Sequence, residues 1–144
     1  MGISRNAYRF GLLFLHLENN SVMAKNDLEE RLIQFAIGII WIAETMKRTY
    51  AGNHLSEQIT RSSTSAALNY GEAQSAESKR DFIHKMQVVL KELRETYVNL
   101  RITLGAKLNP NVDKLNEMIN ENNELISIFV TSIQTARKNL VIKK

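Results

Sequence analysis

Arg61, Asn69, Glu72 and Glu92 are the residues of this chain whose types and spacing come nearest to chemistry. Arg61, Ser65, Leu68 and Glu72 succeed one another along one helical face, with Asn69 between that face and an apolar seam. A guanidinium, an amide and carboxylates beside apolar positions can form a sequestered polar network, Arg61 pairing with Glu72 or, across helices, with Glu92. Such a network either holds helices in register or shapes a ligand or catalytic site. The first use is favoured, because buried polar groups generally serve structure. No catalytic residue is expected. His16, His54 and His84 have no serine and carboxylate in a recognisable arrangement, and no glycine-rich phosphate loop occurs. A di-iron site in a helical bundle needs two Glu-x-x-His motifs. Asp81-Phe-Ile-His84 approaches that pattern once, so neither a metal nor a cofactor is expected.

A second set suits phosphate binding. At about 100° per residue, Arg80, Lys91, Arg94 and Arg101 share one broad helical sector opposite Phe82 and Val89. Gln87 lies among them, and Lys79 and Lys85 flank them. Such a stripe can neutralise nucleic-acid phosphates. The alternative is a solvated face laced with Glu77, Glu92 and Glu95. Aromatic residues are sparse around it, so base stacking on single strands is not indicated.

These groups need helices to position them, and the pattern supplies four. The first begins near Asn26, a good N-cap with Glu29 three residues on. Leu28, Leu32, Phe35, Ile39, Ile42 and Met46 form its seam. Ile33, Ala36, Ile40 and Ala43 make a second stripe, and Trp41 adds to it. One bundle interior needs one stripe, so Ile33, Ile40 and Trp41 are expected at an oligomer interface. Thr49 to Asn53 reads as a turn. The second helix runs from about His54 to Tyr70 or Ala73, with small seam residues at Ser62, Ala66, Asn69 and Ala73 that admit close neighbours. The third starts at Ser75 or Ala76, with Phe82, Met86, Val89, Leu93 and Leu100 as its seam, and ends at Gly105 to Asn111 around Pro110. The fourth spans about Val112 to Asn139 on Leu115, Ile119, Asn122, Ile126, Phe129, Ile133, Ala136 and Leu140. Asn122 is its one polar seam member, a register-setting device. Short turns between four helices predict an all-α, up-down-up-down antiparallel four-helix bundle.

Composition agrees. The chain of 144 residues is 44% hydrophobic, with six Gly and one Pro, which suits one helical domain with a sizeable core. It has no Cys, which excludes disulfides, thiolate metal sites and a cysteine nucleophile. The net charge of +4 permits a basic patch without demanding one. No apolar run approaches the roughly 18 residues of a membrane span, so no membrane partner is expected. Residues 1–22 stand apart from the bundle domain at 23–144. Arg5, Arg9 and the apolar run from Phe10 to Leu17 resemble a signal peptide. Gly11, His16 and a second start at Met23 favour a weakly ordered N-terminal extension.

Several motifs together carry a family resemblance. They are Leu28-Glu29-Glu30-Arg31 with Phe35-Ala36, and Gln58-Ile59-Thr60-Arg61-Ser62 followed by Ser65, Asn69 and Glu72-Ala73. Ser78-Lys79-Arg80-Asp81-Phe82 and Leu90-Lys91-Glu92-Leu93 complete the set. Over roughly Lys25 to Ile102 the chain resembles the bacterial four-helix-bundle proteins first noticed as products of intervening sequences in 23S ribosomal RNA genes. Its fourth helix matches that family in pattern only, and residues 1–22 have no counterpart. The resemblance implies a cytoplasmic, bacterial, ring-shaped homopentamer. It also implies kinship with the accessory protein of diversity-generating retroelements, which binds nucleic acid and a reverse transcriptase. The expected role is a non-enzymatic oligomeric scaffold that binds structured RNA or DNA. The alternative is a protein-interaction module without nucleic-acid contact.

Overall fold

The computed structural model describes the backbone of residues 18–142 and the side chains of residues 27–142. Four helices follow one another: α1 (Glu18–Glu44), α2 (Tyr50–Gln74), α3 (Lys79–Gly105) and α4 (Val112–Ile142). No strand occurs among the described residues. Each helix packs on the next, and α1 meets α4 to close a four-helix bundle. Among the described residues, no helix is long and apolar enough to cross a membrane. Residues 1–17 of the expected N-terminal extension lie outside the described residues.

The helix boundaries differ from the sequence reading wherever a short side chain finds a better capping position. Asn26 lies inside α1, eight residues beyond its start, and so is not the N-cap. Helix α2 begins at Tyr50, because the Thr49 side chain accepts from the Gly52 amide at 3.1 Å. Gly52 therefore sits in the first turn of α2. A Cβ there would lie 1.9 Å from the Lys47 carbonyl oxygen, so glycine is required by the close passage of the α1–α2 turn. Helix α3 starts at Lys79, not at Ser75 or Ala76. The Ser78 hydroxyl accepts from the Asp81 amide at 3.0 Å, and the Asp81 carboxylate accepts from the Glu77 amide at 3.3 Å. At its far end the Leu108 amide reaches the Thr103 carbonyl at 3.1 Å and the Lys107 amide reaches Leu104 at 3.2 Å. That is a Schellman closure, and Lys107 carries its positive φ of 55° where glycine is usual.

The core is one apolar cluster spanning all four helices. In α2, Tyr70 occupies the seam position expected for Asn69 and meets Phe129 of α4 edge to face at 5.7 Å. Burial first, and then the charge of Glu29, push the Tyr70 phenol above its ordinary range. In α3, Ile83 is buried where Phe82 was expected, and Phe82 packs at the margin. In α4, Met118, Leu125 and Ile128 are buried, while Ile119, Ile126 and Leu140 lie at the edge.

Small residues in α2 do admit a close neighbour. The Ser62 and Thr96 hydroxyls meet at 2.6 Å between α2 and α3. Thr96 spends its one hydrogen on the Glu92 carbonyl at 2.9 Å, so Ser62 is the donor of the pair. Asn122 is wholly buried. In the amide orientation that satisfies both groups, it donates to the Leu93 carbonyl at 3.0 Å and accepts from the Tyr97 amide at 2.9 Å. It thereby locks α4 against one level of α3. Asn109, in the α3–α4 connection, donates to the Ile42 carbonyl at 2.9 Å and to the Thr45 hydroxyl at 2.9 Å, satisfying the C-terminal end of α1.

Two substitutions test these termini. Gly52→Ala forces a carbonyl clash and should lower the melting temperature, although alanine usually favours a helix by about 1 kcal/mol. Lys107→Gly relieves a left-handed residue and should stabilise by up to about 1 kcal/mol. Thermal denaturation followed by circular dichroism checks both, and equal shifts in the same direction would contradict the assignment.

Candidate nucleic-acid interface

The expected polar network divides. Arg61 is half exposed rather than sequestered, and it pairs across helices with Glu92 at 3.5 Å and more closely with Glu95. Glu72 is exposed and is not its partner. Asn69 donates to the Ser65 carbonyl one turn back at 2.8 Å, which is a local bond within α2. The physical reason is helix spacing. Glu72 stands eleven residues from Arg61, about 16 Å along α2 and beyond the reach of its side chain, whereas the α2–α3 seam, tight because Ser62 and Thr96 are small, brings Glu92 and Glu95 alongside. Arg61 and Glu92 are thus brought together; Asn69 and Glu72 do not join them.

A stronger ion cluster was not anticipated. Arg31 of α1 binds Glu121 of α4 through two bonds, at 2.6 and 2.9 Å, and Glu124 at 2.5 Å. Hydrogen bonding to Glu121 is the largest influence raising the Arg31 pKa further, against an opposing effect of burial. Reading Glu121 and Glu124 on the α1-facing side of α4, four and three residues from their neighbours in an acidic row, would have been the signal for it.

The expected basic residues fall into three environments. Lys91 and Arg94 are exposed beside α4. With Gln87 and Leu90 they form one wall of a groove whose other wall is Val130, Ile133, Gln134 and Arg137. Lys79 and Lys85 are half buried at the start of α3, and Lys85 pairs with Asp81 at 3.5 Å; Arg80 beside them is exposed. Arg101 lies beyond the groove, with its guanidinium 5.6 Å from the centre of the Tyr97 ring. Arg137 was missed, because it belongs to α4 and only the α3–α4 packing brings it to Lys91 and Arg94.

Acidic residues are turned away from this groove on both helices. In α3, Asp81 is held by Lys85, and Glu92 and Glu95 face Arg61 of α2. In α4, Asp113, Glu117, Glu121 and Glu124 make one row, and its last two members are drawn to Arg31. The groove side of α4 carries Val130, Ile133, Gln134 and Arg137 instead. Among the described residues, Lys91, Arg94 and Arg137 have no carboxylate within ion-pair distance. The result is a linear site of uncompensated positive charge over an apolar floor of Leu90, Val130 and Ile133, with Gln87 and Gln134 as neutral hydrogen-bonding groups.

The expected interface residues lie on the outer face of α1. Ile33, Ile40 and Trp41 are exposed by 40, 38 and 43%, and Ile37 between them by 52%. Ala36 and Ala43 turn inward and do not belong to that stripe.

Comparison with known proteins places this geometry. Residues 24–130 match the model of the 23S rRNA-intervening sequence protein family. The chain is also similar to a crystallised protein of unknown function from the S23 ribosomal protein family of Bacteroides thetaiotaomicron VPI-5482. The two are 26% identical, with a TM-score of 0.65, over 76% of this chain and 97% of that one. No curated protein matches the chain.

The two ion clusters differ in what their loss should cost. Arg31→Ala breaks a bidentate, partly buried pair and should destabilise by about 1.5–3 kcal/mol. Arg61→Ala removes a half-exposed side chain and should cost nearer 1 kcal/mol, most of it from leaving Glu92 uncompensated. Chemical denaturation of both variants tests the ranking, and a reversed order would overturn it.

Proposed function

The chain belongs to the 23S rRNA-intervening sequence protein family, and from that premise we propose that it is a self-assembling, non-enzymatic scaffold that binds nucleic acid along the α3–α4 groove. The observation that carries this reading is that, among the described residues, no acid lines that groove and Lys91, Arg94 and Arg137 have no carboxylate within ion-pair distance. Solvated helical faces ordinarily interleave both signs, as α2 and the other side of α3 do here. A row of cations without counter-charges suits a polyanion, whose phosphates displace the small ions condensed on it. Arg80, Lys79 and Lys85 extend the positive field along α3. Without an aromatic platform in the groove, the ligand is structured RNA or another duplex rather than a stacked single strand. Recognition is by backbone position rather than by base, since phosphate contacts carry no sequence information.

Self-assembly is the second half of the proposal. Helix α1 is apolar on its inner face and again at Ile33, Ile37, Ile40 and Trp41 on its outer face, the pattern of a helix buried on both sides. The family resemblance points to a homopentamer in a bacterial cytoplasm, and a ring would repeat the basic groove and concentrate its field. A protein-interaction module, with a reverse transcriptase as one candidate partner, is the competing reading. The exposed apolar stripe favours it if nucleic acid does not bind.

Mobility shift and filter binding with a structured RNA at rising salt separate the two. Affinity should fall by roughly 0.7–0.9 log units per phosphate contact for each log unit of salt. Lys91→Glu with Arg94→Glu should abolish binding at low salt without changing the melting temperature appreciably, whereas Arg48→Glu, in the α1–α2 turn, should not. Retained affinity in the double variant, or no binding by the parent, defeats the nucleic-acid reading.

Ile40→Glu should convert the assembly to a folded monomer, read by light scattering and circular dichroism together. A parent of about 16.5 kDa in solution would refute self-assembly.

A further inference from the structure

The chain has five glutamines, and all of them lie among the described residues. Three are engaged within the protein. Gln34 donates to the Glu30 carboxylate at 2.8 Å, Gln58 accepts from Arg61 at 3.3 Å, and Gln74 donates to the Tyr70 carbonyl at 3.4 Å. Gln87 and Gln134 are exposed, and their amides make no hydrogen bond to any described residue. Both line the α3–α4 groove, one on each wall. Two free amides therefore stand among Lys91, Arg94 and Arg137, at neighbouring turns of the same two helices.

The shape of the site limits what those amides can meet. A groove between two helices is concave, so it receives a convex ligand. Its walls run from Gln87 to Arg94 and from Val130 to Arg137, each about 10 Å at 1.5 Å per residue. The convex parts of a duplex are its sugar–phosphate ridges, and base edges lie in the grooves between them, roughly 7.5–8.5 Å deep in B-form DNA. A ridge brings phosphates to the three cations and the adjoining sugars to the amides. Leu90, Val130 and Ile133 on the floor suit the carbon face of a sugar. Deoxyribose has no hydroxyl to offer at the 2′ position. Ribose has one that both donates and accepts, and A-form RNA displays it along a wide, shallow minor groove. A glutamine amide carries both a donor and an acceptor, so it can answer either role.

We propose that the α3–α4 groove selects RNA over DNA, with Gln87 and Gln134 hydrogen-bonding ribose 2′-hydroxyls of a strand whose phosphates are held by Lys91, Arg94 and Arg137. The inference rests on the nucleic-acid reading above and goes further by naming the sugar as the group that is recognised. It divides the work between two kinds of side chain. The cations attract the backbone of any nucleic acid and weaken as salt rises. The amides carry no charge and add contacts that only a ribose strand can complete. Selectivity of this kind is for the type of nucleic acid and not for its sequence, because the hydroxyl is the same on every nucleotide.

Filter binding at one fixed salt concentration tests this with three duplexes of the same sequence: RNA, DNA and 2′-fluoro RNA. The fluorinated duplex keeps the A-form shape and lacks the hydroxyl. The parent should bind RNA about tenfold more tightly than either of the others, the effect of two neutral hydrogen bonds. In Gln87→Leu with Gln134→Leu, checked for unchanged helix content by circular dichroism, the ratio of RNA to DNA affinity should fall close to one. Equal binding of RNA and DNA by the parent would overturn the proposal and leave the nucleic-acid reading intact. A preference for RNA that the fluorinated duplex shares, or that the double variant keeps, would trace it to helix shape and overturn the role of the glutamines. Failure of the parent to bind any of the three would remove the nucleic-acid reading itself, and this inference with it.

Discussion

The clamp of Arg31 on Glu121 and Glu124 sets the rotation of α4, and most of the surface follows from that rotation. The other three helix contacts are enforced by short connections. The α1–α4 contact is not, because the two helices are the ends of the sequence order. It needs its own devices. Arg31 provides one. Gly38 provides another: a Cβ there would lie 2.4 Å from the Met118 sulfur, so its absence lets α4 come close. Asn109 supplies the third by tying the loop before α4 to the last carbonyls of α1. Once Glu121 and Glu124 face α1, the acidic row they belong to faces α1 as well. The neutral amide side of α4 and Arg137 are then left to line the groove with α3.

Charge separation between the two flanks is thus a by-product of closing the bundle. One flank is apolar, with Asp113 and the Lys114–Glu117 pair of α4 beside it; the other is basic over an apolar floor. A monomer has little use for either. The acid-free groove lacks the interleaved counter-charges that hold a solvated face neutral. The outer stripe of α1 keeps four large apolar side chains partly in water. Both features suit the scaffold proposed above, in which burial of the stripe would also multiply the groove.

The buried hydroxyl pair Ser62–Thr96 and the buried amide of Asn122 serve specificity within this frame. Each bond adds only about 1 kcal/mol net, but a slip of one residue would leave its groups unsatisfied in the core. They select one level of α2 against α3 and one level of α3 against α4. The positions of Arg61 near Glu92 and Glu95, and of Lys91 and Arg94 near Arg137, depend on those levels.

From its sequence alone this chain determined its helix count, its order of helices and most of its core. Leu32, Phe35, Ile39, Ile42, Leu93, Leu100, Leu115 and Phe129 repeat at helical spacing, and burying such stripes against one another leaves a four-helix bundle as the compact solution. The exposed α1 stripe, and Lys91 and Arg94 together on one face of α3, were legible for the same reason: periodicity shows which residues share a face. The helix termini were not, since Asn26, Thr49, Ser75 and Ser78 all have capping chemistry and competition among them is settled by packing. Arg137 in the groove, Arg31 with Glu121, Asn109 under α1, and the choice of Glu92 and Glu95 over Glu72 for Arg61 were decided only by the tertiary structure. Each joins side chains on different elements, and the distance between two helices is set by the small or large residues between them, which spacing along one helix does not record.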